Sequence, residues 1–183
     1  SLTVVPVLTA AGAQGAETIG KSAPRVETAQ GSLEGVWVDA SEVYRGIPYA
    51  KPPVESLRWQ PPQPVDPWSG VQPAKTFGPA CPQPVRFSYM IPGDQGPSED
   101  CLTINVSAPA EAKDQPVWVM IHGGGFVSGS GEYLLGLGPL LNAEGIVFVS
   151  FNYRLSTLGF FAHPELPSEQ GVNYGLMDML SLI

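Results

Sequence analysis

Fifteen of the twenty prolines fall between residues 48 and 116, and that segregation divides the chain into zones of different character. Proline fixes φ and removes a backbone donor, which confines residues 48–116 to extended loop, turns and sheet edges. Leu102–Val106 is the best strand within that zone. Ahead of it, residues 25–47 alternate apolar and polar. Val26, Leu33, Val36, Val38 and Val43 suit short antiparallel strands, with turns at Gln30-Gly31 and near Asp39.

After Pro116 the pattern changes. Val117-Trp118-Val119-Met120-Ile121 is a continuous apolar run, which predicts a strand covered on both faces, and Ile146–Phe151 predicts a second. Between them, residues from about Tyr133 to Ala143 are Leu-rich and predict a short helix, weakened by Gly136, Gly138 and Pro139. Strand, helix and strand at this length imply a right-handed crossover and a parallel sheet. Asn173 is the expected cap of a last helix running through Leu176, Met177, Leu180 and Ile183. These elements amount to half of an α/β protein.

Composition narrows the partners. A net charge of −8, with Lys and Arg scattered singly, offers no basic stripe for a phosphate backbone and argues against a nucleic-acid binder. No apolar run reaches the length of a membrane span. Leu2 to Ala11 is apolar and uncharged, and Ala11-Gly12-Ala13 fits a small-residue cleavage site. Residues 1–20 are therefore expected to be a signal-peptide remnant or leader, residues 21–183 the folded part, and the protein secreted or periplasmic. The two cysteines, Cys81 and Cys101, suit a bridge worth ~3 kcal/mol on the loop-entropy model, or else two buried thiols. His122 and His163 stand alone without ligand spacing, so neither a metal nor another cofactor is expected.

The chemical clue is His122-Gly123-Gly124-Gly125-Phe126, directly after the first buried run. Glycines there let backbone N–H groups face a cleft without side chains in the way. Such donors stabilise the oxyanion that develops during acyl transfer, and loops of this kind serve lipases and esterases. A packing turn or a phosphate loop is the competing reading. Phosphate binding would call for a following Lys-Ser/Thr or a G-x-G-x-x-G helix opening, and neither is present.

Tyr44-Arg45-Gly46-Ile47-Pro48-Tyr49-Ala50-Lys51-Pro52-Pro53 and Leu57-Arg58-Trp59 resemble the N-terminal signature of the type-B carboxylesterases, the cholinesterase-like family. Phe77-Gly78-Pro79-Ala80-Cys81 and Ser98-Glu99-Asp100-Cys101-Leu102 resemble its two half-cystine motifs. His122–Phe126, Asn152-Tyr153-Arg154-Leu155 and Asn173-Tyr174-Gly175-Leu176-Met177-Asp178 complete the series in the family's order. The resemblance covers nearly all of the chain after Val26.

It implies the N-terminal part of an α/β-hydrolase fold: a small antiparallel sheet, then the first strands and helices of a mostly parallel central sheet. It also implies hydrolysis of a small carboxylic ester through a serine acyl-enzyme. Gly124 and Gly125 would supply oxyanion-hole amides, with Gly123 and His122 shaping the loop. Cys81 and Cys101 would form a disulfide, and Arg58–Glu99 and Arg154–Asp178 two structural salt bridges. None of the fifteen serines has glycine at both −2 and +2, so no nucleophile elbow is present. The nucleophile, acid and histidine are thus expected beyond residue 183, and the remainder of the esterase chain is an expected partner. His163 reads as structural. Tyr89, Trp59, Trp68 and Phe126 read mainly as packing, and Ser128 and Ser130 as turn hydroxyls. No Trp lies between the two cysteines, where choline-binding relatives carry one. A non-catalytic adhesion or binding protein, or an inactive fragment, is the alternative.

Overall fold

The computed structural model describes residues 21–84, 96–166 and 173–182. The leader expected over residues 1–20, Tyr89 and Ile183 lie outside the described residues.

The chain begins with a small sheet. Strands β1 (Arg25–Glu27) and β2 (Ser32–Glu34) form an antiparallel hairpin, and β5 (Val71–Pro73) adds to β2 in parallel. The hairpin closes at Gln30-Gly31 through reciprocal bonds between the Thr28 and Gly31 backbones. Leu33, Tyr44 and Ala74 bury a cluster under this sheet, with Trp68 packed against it. The proline-rich zone hides β5 from a sequence reading, because a three-residue edge strand ending in Pro73 carries no periodicity.

Among the described residues the larger sheet has five strands in the order β3-β4-β6-β8-β7. Here β3 is Val36–Val38, β4 Ser41–Pro48, β6 Thr103–Pro109, β7 Val117–Met120 and β8 Val147–Phe151. Neighbouring pairs are antiparallel up to β6–β8, and β7–β8 is parallel, with Val119 opposite Val149. The turn near Asp39 joins β3 to β4, as the alternation predicts.

Between β7 and β8 the expected helix arrives in two pieces, a 3₁₀ segment Gly131–Leu137 and then α1 (Gly138–Ala143). Pro139 occupies the first turn of α1, where its missing N–H costs nothing, so it opens a new helix and does not continue the old one. Two further helices follow β8: α2 (Ser156–Phe160) and α3 (Tyr174–Leu180).

Two expectations are corrected. The run beginning at Val117 is a strand, but it is not covered on both faces: Val117, Trp118 and Val119 are 59%, 49% and 42% exposed. Among the described residues it is the edge strand of the sheet, and continuous hydrophobicity reports that a face can be covered without saying which part of the chain covers it. Asn173 precedes α3, but its side chain makes no capping bond. Its φ of −96° and ψ of 64° lie outside the extended geometry that aims a cap side chain at the helix, so it holds the cap position through its carbonyl alone, which accepts from Leu176 and Met177.

A disulfide joins Cys81 to Cys101 in the main core, among Leu102, Phe151, Tyr153, Leu155 and Met179. Two ion pairs flank it. Arg58 binds Glu99 through both Nε (2.6 Å) and Nη2 (2.7 Å), partly open to solvent. Arg154 binds Asp178 through Nε (2.8 Å) and Nη2 (2.7 Å), fully buried. Removing one partner of a buried pair strands the other charge. Asp178→Asn is therefore expected to cost ~3–5 kcal/mol, against no more than ~1 kcal/mol for Glu99→Gln at the open pair. Urea denaturation of the two variants checks the contrast; equal losses would overturn it.

Candidate active site

Strand β7 delivers the chain to Ile121 and His122, and the glycine run then turns sharply. Val127 and Ser128 both donate backbone N–H groups to the Gly124 carbonyl, at 3.1 and 3.2 Å. Within this turn φ is +118° at Gly124, +61° at Gly125 and +62° at Phe126. Positive φ at both central residues is the signature of a mirror-image turn, which glycine enters without strain. A Cβ on Gly124 would lie 1.9 Å from the Ser128 carbonyl oxygen, so only glycine fits. A Cβ on Gly125 or Gly123 would meet nothing within 4 Å, and Gly123 has no positive φ. Steric demand in the loop therefore falls on Gly124. Among the described residues, the N–H groups of Gly124 and Gly125 engage no acceptor.

His122 is buried, with its ring stacked on Tyr153 at 4.4 Å and 14°. Its Nδ1 lies 3.0 Å from the Gly123 carbonyl, which makes Nδ1 the protonated nitrogen of a neutral ring. Nε2 has no partner among the described residues. Burial pushes the His122 pKa below the ordinary histidine value, opposed by the Gly123 carbonyl. The Tyr153 hydroxyl, its own pKa raised by burial, donates to the His122 carbonyl at 3.0 Å. His122 is thus a neutral prop under the glycine turn.

The far side of the turn is held too. The Phe126 carbonyl accepts the Ser156 N–H at 2.8 Å, at the start of α2, and the Phe126 ring packs on Phe160 at 4.9 Å while staying 50% exposed. Ser128 Oγ reaches the Gly124 carbonyl at 3.4 Å, and Ser130 Oγ accepts the Glu132 N–H, capping the 3₁₀ segment. Ser130 Oγ also donates to Asn152 Oδ1, just past β8, at 3.4 Å. His163 sits in an exposed turn elsewhere, its Nδ1 accepting the Glu165 N–H and its ring stacked on Phe161. Trp59 donates to the Thr157 carbonyl and Trp68 to that of Ser32, so both indoles are spent on packing.

Two residues around the turn carried no sequence signal: Ser156, and Gln83, which reaches Gly129. Neither belongs to a recognisable spacing. Among the described residues no group of three or more His, Cys, Asp or Glu side chains is placed to hold a metal, and no helix is long and apolar enough to cross a membrane.

A family model described as the carboxylesterase family matches residues 22–183. The chain belongs to that family. It is 43% identical over 162 residues to a fumonisin B1 esterase of Sphingopyxis macrogoltabida, covering 84% of this chain and 29% of that protein. It is 39% identical over 163 residues to a para-nitrobenzyl esterase of Bacillus subtilis (strain 168), covering 86% and 33%. Among solved structures, a PNB esterase superposes with a TM-score of 0.79 at 36% identity, covering 86% of this chain and 33% of that one. The chain thus spans about a third of the length of the relatives it matches. Its sheets and helices are those of the N-terminal part of an α/β-hydrolase fold.

The lowered His122 pKa makes the turn pH-sensitive. A histidine kept neutral by burial adds stability that is complete above the unfolded value of about 6.5 and is lost as pH falls through the folded value. Between about pH 7 and pH 5 the wild type is expected to lose stability by an increment that His122→Gln lacks. Urea midpoints at both pH values for the two proteins check this; identical pH dependence would overturn it.

Proposed function

We propose that this chain supplies the oxyanion-binding loop of a serine carboxylic-ester hydrolase. The observation that carries the reading is the pair of Gly124 and Gly125 N–H groups, which engage no acceptor among the described residues, on a turn directly following a sheet strand. Both residues hold positive φ, and packing permits no side chain at the first. Backbone donors arranged in advance need no reorganisation when charge develops on the carbonyl oxygen, which is why such loops stabilise acyl-transfer transition states. The relatives support the same chemistry, being esterases of fumonisin B1 and of para-nitrobenzyl esters by name.

In this reading a serine from a segment beyond residue 183, activated by a histidine and an acid from the same segment, attacks the ester carbonyl. The Gly124 and Gly125 amides hold the oxyanion, the alcohol leaves, and water hydrolyses the acyl-enzyme. Gly123 passes the strand into the turn, and His122 keeps the turn seated on Tyr153. Cys81–Cys101, Arg58–Glu99 and Arg154–Asp178 serve the scaffold. The partners are a small carboxylic ester and the remaining part of the esterase polypeptide; the reaction needs no metal and no other cofactor. The disulfide suits an oxidising compartment, periplasmic or extracellular.

The test uses the full-length polypeptide that contains these residues. A fluorophosphonate probe should label it at one serine, and Gly124→Val should lower kcat by ~10²–10³. Absence of labelling, or turnover unchanged by Gly124→Val in a folded variant, would refute the assignment.

A further inference from the structure

The glycine turn ends at Gly129, and one side chain grips both polar groups of that residue. Gln83 Nε2 donates to the Gly129 carbonyl at 2.9 Å, and Gln83 Oε1 accepts the Gly129 N–H at 3.0 Å. The amide therefore pairs with the Gly129 backbone as a neighbouring strand would. Its second N–H hydrogen goes to the Cys81 carbonyl at 3.1 Å. Three of the amide's hydrogen-bonding positions are used, which orients it against rotation.

The base of this grip is stiff. Gln83 lies between Pro82 and Pro84, whose rings fix φ on either side, and a residue preceding proline is confined to extended backbone. Two residues earlier, Cys81 is tied to Cys101 in the buried core. Little backbone freedom therefore remains to be lost when Gln83 engages the turn, and the cost falls on the rotamers of its side chain.

The other end of the contact transmits force. Gly129 has φ +126°, and a Cβ there would lie 2.2 Å from His122 Nδ1 and 2.5 Å from the Gly123 oxygen. The Gly129 backbone is thus pressed against the residues that enter the turn. Its neighbour Ser128 presses against Gly124 and donates to the Gly124 carbonyl. A displacement of Gly129 therefore reaches Gly124 through Ser128, the residue between them that bonds the Gly124 carbonyl.

We propose that Gln83 is a positioning residue that fixes the Gly124–Gly125 amides by clamping Gly129 to the Cys81–Cys101 core. The role rests on the oxyanion reading above. It predicts that loss of the clamp impairs the chemical step and leaves ground-state substrate binding alone, since an ester gains the oxyanion contact chiefly in the transition state.

The test compares the full-length wild type with Gln83→Ala and Gln83→Met by amide hydrogen exchange at Gly129 and by steady-state hydrolysis of p-nitrophenyl acetate. Gln83→Ala removes all three bonds. Gln83→Met keeps the length of the side chain and also removes all three bonds, including the acceptor for the Gly129 N–H, and it carries the test if the alanine variant does not fold. The expected result is Gly129 exchange faster by about tenfold or more. With it, kcat should fall about tenfold to a hundredfold and KM should change by less than about twofold. Unchanged Gly129 exchange overturns the clamp. Faster exchange with unchanged kcat, or a loss confined to KM, overturns the positioning role. A wild type with neither turnover nor fluorophosphonate labelling refutes the esterase reading instead, and the clamp then stands or falls on Gly129 exchange.

Discussion

The Arg154 guanidinium is 3% exposed and the Asp178 carboxylate 0%, and between them they join segments that the sheet alone would leave apart. Arg154 leaves the end of β8 and spends Nε, Nη2 and its backbone N–H on Asp178 in α3, while Nη1 donates to the Gln60 carbonyl. Removing two charges from water costs several kcal/mol each, so such a pair adds little net stability unless its remaining hydrogen-bonding capacity is met. Here the carboxylate accepts three bonds and the guanidinium donates a further one to a main-chain carbonyl. The pair acts less as a source of stability than as a specification of where residues 153–156 lie. Any other arrangement of that segment would leave a buried charge alone.

Everything under the glycine turn follows from that placement. Tyr153, one residue before Arg154, stacks on the His122 ring and donates to the His122 carbonyl. Leu155 fills the core beside the disulfide. Ser156 donates to the Phe126 carbonyl. Four consecutive residues thus serve the buried pair, the core and both ends of one turn. Phe126 and Ser156, bonded to each other, hold φ of +62° and +49°, a conformation that costs a residue with a side chain of order 1–3 kcal/mol. It persists because the surrounding contacts leave no alternative. The turn is thereby kept in a shape that leaves the Gly124 and Gly125 amides without partners among the described residues.

Much of the fold was legible because it is local. Alternation placed β3 and β4 and the turn between them. The apolar run ending in Phe151 placed β8, whereas the short helix expected over residues 133–143, weakened by Gly136, Gly138 and Pro139, forms in two pieces. What was not legible depends on neighbours. The residues of β7 read as a strand covered on both faces, yet burial is a property of what lies against a strand, and among the described residues Val117, Trp118 and Val119 stay exposed. Asn173 carries the right side chain for a cap, but its backbone adopts the wrong dihedrals to use it.

At the site the division is the same. The run from His122 to Phe126 carries in its own letters the need for a glycine turn, because positive φ and the absence of Cβ are properties of single residues. Its place in a series of motifs carried the family as well. Only the tertiary structure decided that Gly124 is the glycine without which the turn cannot close, since the atom a Cβ would strike belongs to Ser128. Only the tertiary structure made His122 a neutral prop, by laying it on Tyr153 and away from water. Gln83 and Gly129 lie 46 residues apart, and no periodicity or local propensity relates positions at that separation. Their contact exists because a disulfide, two prolines and a sheet edge bring them together, and folding alone does that.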